Sequence, residues 1–178
     1  MKAHYLLILL LFAGACKTQN TTATTDENTM IEQNTKQDTA CPEDGVCEVK
    51  IHKNALLQIK EDGTGALYPV LGSGDRLVVE YTYTRKGPEG TMDGDYSETI
   101  YFEIPTSTKT LNKEDASLND VKLLYGKQCY CKGEAGFYSV DIGTLSLEKK
   151  GDIIIFDLQF HVGKTTQVIS QLTQEVKM

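Results

Sequence analysis

From Cys41 onward, apolar side chains recur at every second position and show little sign of a 3.6-residue period. The clearest run is Ile154, Phe156, Leu158, Phe160 and Val162, which alternate with Ile155, Asp157, Gln159 and His161. Side chains on a strand point to opposite faces in turn, so such a run buries one face and leaves the other wet. A helix would scatter these residues around its whole circumference. The pattern therefore restricts the chain to sheet structure with a one-sided core.

The same alternation appears along most of the chain. Cys47, Val49 and Ile51 oppose Glu48, Lys50 and His52, and Ala55, Leu57 and Ile59 lead to the hairpin turn signal Glu61-Asp62-Gly63. Ala66 to Leu71 returns as a short strand broken by Pro69, and Gly72-Ser73-Gly74-Asp75 punctuates before the next. In that next strand Leu77, Val79, Tyr81 and Tyr83 share a side. Ile100, Phe102 and Ile104 then face away from Thr99, Tyr101 and Glu103. Asn112 to Asn119 reads as a connection with one helical turn. Val121 to Tyr125 and Gln128 to Lys132 read as strand pieces separated by Gly126, and Phe137 to Val140 and Thr144 to Leu147 follow. Lys149-Lys150-Gly151-Asp152 closes a hairpin. At the C-terminus Val168, Leu172 and Val176 suit one face of a short helix, although the segment also alternates. We take the helix. About eight short strands with Gly-rich turns imply an all-β fold, a single antiparallel β-sandwich or open barrel spanning residues 41–178.

The N-terminus has a different character. Met1-Lys2 give a cationic start, Tyr5 to Phe12 is an unbroken apolar run, and Ala13-Gly14-Ala15 are small residues directly before Cys16. A charged start, an apolar stretch shorter than a bilayer span and small residues at a cut site make a secretory signal, residues 1–15. The cysteine placed directly after them resembles the lipobox of bacterial lipoproteins, with Phe12 one place earlier than the usual bulky residue. The resemblance implies that Cys16 is acylated and becomes the mature N-terminus. Two or more acyl chains give stable anchoring where one gives only marginal binding.

Residues 16–40 then form a tether of Thr, Asn, Gln and acidic residues. Such a segment buries too little apolar surface to offset its ordering entropy. As a flexible coil it reaches roughly 25–30 Å, enough to lift a domain off a membrane. Asp38-Thr39-Ala40 resembles the O-glycosylation triplet of Bacteroidetes-type bacteria. Leader, tether and triplet together are similar to envelope lipoproteins of that group, over about the first quarter of the chain. The resemblance implies a lipid-anchored protein of the cell envelope, at the outer membrane, on its periplasmic or surface face.

A net charge of -7 argues against nucleic acid, which needs a clustered Lys/Arg footprint. The membrane partner is therefore reached through lipid. Without Cys16, four cysteines remain: Cys41, Cys47, Cys129 and Cys131. An even remainder in an exported chain suggests two disulfides, with three pairings open. On one extended strand Cys129 and Cys131 would stand roughly 6.6 Å apart, at the upper edge of what a disulfide spans, so a direct link needs a bent backbone. We expect two cross-bridges between the segment Cys41–Cys47 and the segment Cys129–Cys131, with one closed loop at each end as the alternative.

No arrangement points firmly to catalysis, a cofactor or a metal. The four cysteines with His52 or His161 suggest a thiolate site, but structural zinc favours cysteines two to four residues apart, and neither pair fits well. A thioredoxin-like motif needs two residues between cysteines and a βαβ setting, and both are missing. His52 and His161 lie on the polar sides of their strands. His161, Asp157 and a serine make a triad only on paper, because Gly72-Ser73-Gly74 reads as a turn and not a nucleophile elbow. Asp93, Asp95 and Glu98 carry calcium-type oxygens without the usual loop. Gly133-Glu134-Ala135-Gly136 lacks the residues of a phosphate loop. Tyr81, Tyr83, Tyr96, Tyr101, Tyr125, Tyr130 and Tyr138 suit either strand packing or a face for a glycan or an envelope protein. The expectation is a non-enzymatic binding or accessory module. An envelope hydrolase with a loop-built site and a cysteine-based metal module are the alternatives.

Overall fold

The computed structural model describes residues 41–91 and 94–178. Cys16, the expected signal peptide and tether, and the triplet Asp38-Thr39-Ala40 lie outside the described residues. In order come β1 (Val46–Glu61), β2 (Leu67–Arg85), β3 (Tyr96–Pro105), β4 (Thr110–Glu114), a 3-10 helix (Asp115–Val121), β5 (Leu124–Gln128), β6 (Gly136–Ser139), β7 (Gly143–Lys150), β8 (Ile153–Phe160) and β9 (Gln171–Lys177). Two antiparallel sheets result, with strand orders β1-β2-β3-β5-β6 and β4-β7-β8-β9. Among the described residues no helix is long and apolar enough to cross a membrane.

The alternating residues meet in rows across each sheet. In the larger one Val49, Tyr81, Ile100, Tyr125 and Tyr138 stand opposite one another in turn. In the smaller one Leu145, Leu158 and Leu172 do the same. These faces share one apolar core. Across it Phe102 meets Phe156 edge-to-face, with centroids 5.3 Å apart, a geometry worth about 0.5–1.5 kcal/mol beyond area burial. As the alternation of β8 requires, Ile154, Phe156, Leu158, Phe160 and Val162 are all buried.

Three expectations change. The C-terminal segment is strand β9 and not a helix: Leu172 and Val176 stand opposite Leu158 and Ile154 of β8. Pairing there satisfies the edge of β8 and buries Leu172, which a short isolated helix would not do. Second, Gly72-Ser73-Gly74 lies inside β2. It forms a bulge where Ala55 faces both Ser73 and Arg76 and Asn54 adopts φ 52°. A Cβ at Gly74 would stand 2.8 Å from the Leu56 Cβ and 2.9 Å from the Ala55 carbonyl, so glycine permits this close bend. Third, β5 runs through Gly126 and stops at Gln128, before the second cysteine pair.

The bend has a large effect. It swings the far half of the β1–β2 hairpin around until Leu67 pairs with Phe137, which joins β6, the last strand of the larger sheet, back to β2. Buried Glu103 holds this shape. Its Oε2 accepts the Leu57 N–H at 2.8 Å, and its Oε1 is 2.8 Å from the Lys122 Nζ. That ammonium also donates to the Leu57 carbonyl at 2.7 Å.

Candidate functional site

Where the hairpin tip, β6 and the chain following β8 converge, a cleft of about 740 Å³ opens. Leu67, Phe137, Tyr138, Ile142 and Val162 give it apolar walls, while Asp141, His161 and Lys164 add polar groups. Its two sides are tied by the His161 N–H donating to the Ile142 carbonyl at 3.0 Å. Such a mixture of apolar wall and a few polar groups is typical of a ligand site.

The backbone of β6 gives the cleft its chemistry. The Val140 N–H donates to the Leu123 carbonyl at 3.0 Å. In an antiparallel ladder, residues that exchange hydrogen bonds with a neighbour alternate with residues that point their N–H and C=O the other way. Ser139, opposite Leu124, therefore aims its backbone groups away from β5 and towards the cleft. Phe137 does likewise and meets Leu67. With Phe137 taken up by Leu67, the strand edge at Ser139 is presented beside a row of apolar side chains. The Phe137 ring reaches its place because Gly126 lies beneath it, where a Cβ would collide with the ring.

One wall is held by a buried polar network. Glu98 and Lys127 are 0% and 3% exposed on the inner face of the larger sheet. Glu98 accepts the N–H groups of Val168 and Ile169, each at 2.7 Å, and the Tyr96 hydroxyl. The Lys127 Nζ donates to Glu134 Oε2 at 2.5 Å, to Thr166 Oγ1 at 2.7 Å and to the Thr166 carbonyl at 3.0 Å. Lys127 and Thr166 hold the Glu134 carboxyl well below its usual range, at about 2. Burial, reinforced by neighbouring Glu98, pushes the Tyr96 and Tyr125 hydroxyls up. The network clamps the β8–β9 connection, and through it Val162 to Lys164, against the sheet.

The cysteines pair otherwise than expected. Cys41 bonds Cys47 and Cys129 bonds Cys131, one closed loop at each place, and the cross-bridges are not formed. The chain bends after Gln128, and Glu134 N–H donates back to the Cys131 carbonyl. Off the ladder, the Cα atoms of Cys129 and Cys131 stand 5.2 Å apart, within a disulfide's span. All four sulfurs are thereby engaged, and the thiolate-site alternative loses its ligands.

The other candidates separate. His52 pairs with Glu80 at 2.6 Å, and Glu80 also accepts the Tyr101 hydroxyl at 3.1 Å. His161 lines the cleft, whereas Asp157 accepts from the Thr173 hydroxyl and Ser73 sits in the β2 bulge. A triad built on Ser73 therefore has no common centre. Asp95 is taken up by Lys86 and the Gly87 N–H, Glu98 is turned into the core, and Asp93 lies outside the described residues. Tyr81, Tyr83 and Tyr125 are buried as strand packing, while Tyr130 stands 98% exposed between the second pair of cysteines.

Sequence reasoning passes over Lys127 and Thr166, and meets Glu134 only as part of a stretch that fails as a phosphate loop. The one available signal was phase, since Glu98 and Lys127 lie two residues from inward-facing Ile100 and Tyr125. No family model, curated protein or solved structure matches the chain.

Proposed function

We propose that this chain is a lipid-anchored protein of the bacterial cell envelope, held at the outer membrane through Cys16, whose β domain binds an extended segment of another envelope protein. The observation that carries the binding reading is the strand edge at Ser139, directed into an apolar-walled cleft. Strand addition draws affinity from main-chain hydrogen bonds and selectivity from pockets for alternate side chains. Leu67, Phe137, Ile142 and Val162 supply such pockets, and Asp141 and Lys164 offer one charge of each sign at the margins. The lipid anchor rests on the leader, and the polar tether would let the cleft meet partners at a distance from the bilayer.

The binding reading is tested with a displayed library of random heptapeptides. Selected peptides should bind the wild-type domain, lose affinity when N-methylated at alternate backbone positions, and bind Ser139→Pro at least about tenfold more weakly, since proline removes the edge N–H. Peptides that bind Ser139→Pro equally well, or a library that yields none, would count against it. Enrichment of glycans on an array instead would replace the protein partner with a sugar. The anchor is tested separately by metabolic fatty-acid labelling, which should disappear in Cys16→Ser. Persistent label in that variant contradicts the assignment.

A further inference from the structure

The two disulfides hold very different things. Cys41–Cys47 closes a seven-residue loop, spanning a sequence separation of 6. Both cysteines pack against the core, and the Tyr81 hydroxyl donates to the Cys47 Sγ at 2.9 Å. Cys129–Cys131 encloses a single residue. It lies on the β5–β6 connection, whose ends are already fixed by the pairing of β5 with β6 and by the Lys127–Glu134 contact. The loop is closed independently by the turn from Cys131 to Glu134, with Gly133 at φ 77°. The residue enclosed, Tyr130, is 98% exposed. A bridge that restrains so short a loop removes less freedom from the unfolded chain than one closing seven residues, and its half-buried cysteines, on either side of exposed Tyr130, lie within reach of an external thiol.

We propose that Cys129–Cys131 is a thiol–disulfide exchange site that accepts two electrons from a dithiol of a partner protein. A partner thiolate attacks one of the two sulfurs. The Cys129–Cys131 bond breaks, a mixed disulfide forms, and the displaced sulfur leaves as a thiolate that takes a proton from water. The partner's second thiol, once deprotonated, attacks the mixed disulfide. The partner departs with its own disulfide, and Cys129 and Cys131 remain as two thiols. Two electrons and two protons have passed to this chain. Tyr130 offers the approaching partner an apolar ring beside the reacting sulfurs, and Lys132, next in the chain, favours the thiolate that leaves. Cys41–Cys47 serves as an internal reference in the same molecule.

The oxidised full chain is equilibrated in glutathione buffers of graded ratio, alkylated and read by mass for each pair. Cys129–Cys131 should reach half-reduction at a ratio at least about tenfold more oxidising than Cys41–Cys47 requires. Equal resistance, or earlier opening of Cys41–Cys47, overturns the proposal. A reduced synthetic Cys-x-x-Cys peptide should become oxidised stoichiometrically by the wild type and not by Cys129→Ser/Cys131→Ser. An inert wild type sinks the idea as well. That double variant should also lose no more than about two-thirds of the Tm that Cys41→Ser/Cys47→Ser loses. An equal loss would make the bridge structural and end the proposal.

Discussion

Glu98 and Lys127 stand directly opposite each other on β3 and β5, both buried, and both reach into the same stretch of chain between Thr166 and Ile169. Glu98 takes the backbone N–H groups of Val168 and Ile169, while Lys127 takes the carbonyl and hydroxyl of Thr166. Two cross-strand neighbours thus act as one clamp on the β8–β9 connection. Glu98→Gln should destabilise the domain by about 1–3 kcal/mol, because an amide nitrogen then faces a backbone donor at a buried position. Urea denaturation measures the cost. An unchanged midpoint would show that the clamp contributes nothing to stability.

A pH dependence follows from Glu134. Its carboxyl titrates near 2 in the folded chain, below the ordinary 4.5, because Lys127 and Thr166 hold it. A lowered value means that its stabilisation is complete above about 4.5 and is lost as pH falls through 2. Asp44, Asp62 and Asp95 are lowered too and act in the same direction, so the variant isolates the one group. Glu134→Gln should melt below the wild type at neutral pH, and the gap should close between pH 4.5 and 2. Melting curves that stay parallel across that window would contradict this account.

Two glycines separate stability from site shape. Gly143 has φ 143°, and a Cβ there would run into the Gln159 carbonyl and the Phe160 backbone. Gly143→Ala should cost about 2–4 kcal/mol through strain and overpacking. At Gly126→Ala the three nearest atoms to the new Cβ all belong to the Phe137 ring, a side chain that can turn aside. It should cost about 1–3 kcal/mol and should also weaken peptide binding in the cleft. Calorimetry and peptide titration on both variants distinguish the two effects, and Gly126→Ala binding peptides as the wild type does would argue against Phe137 as a wall of the site.

Removing Cys41–Cys47 opens a seven-residue loop and loosens sulfur packed on the core. Cys41→Ser/Cys47→Ser should lose about 2–4 kcal/mol. Non-reducing thermal melts at pH 7 measure it, and a loss below about 1 kcal/mol would mean that Cys41 to Cys47 is held by its other contacts.

Much of the fold is legible from alternation alone. β8 follows its pattern residue by residue, because a run of inward Ile, Phe and Leu admits one face and one period. β9 was misread because Val168, Leu172 and Val176 satisfy a helix as well as a strand, and only the waiting edge of β8 decides. The bend in β2 was hidden for a related reason. Gly72-Ser73-Gly74 is turn vocabulary, and its use as a bulge depends on Leu56 and Ala55 packing beside Gly74. The cross-bridges look favoured only if Gln128 to Lys132 is one strand; the chain leaves the ladder at Gln128, and the alternative of one closed loop at each end is what forms. The cleft was not legible at all. It exists because Leu67 and Phe137 are brought together by that bend, and no spacing in the sequence records it.

The most direct test of the cleft places a photo-crosslinking amino acid at Ile142 of the full chain in intact cells. We predict one discrete protein adduct, lost when Ser139→Pro is added and not reproduced from exposed Val46, 72% exposed and distant from the cleft-lining residues in sequence. No adduct from position 142, or an adduct that survives Ser139→Pro, would contradict the claim that β6 receives a partner's strand.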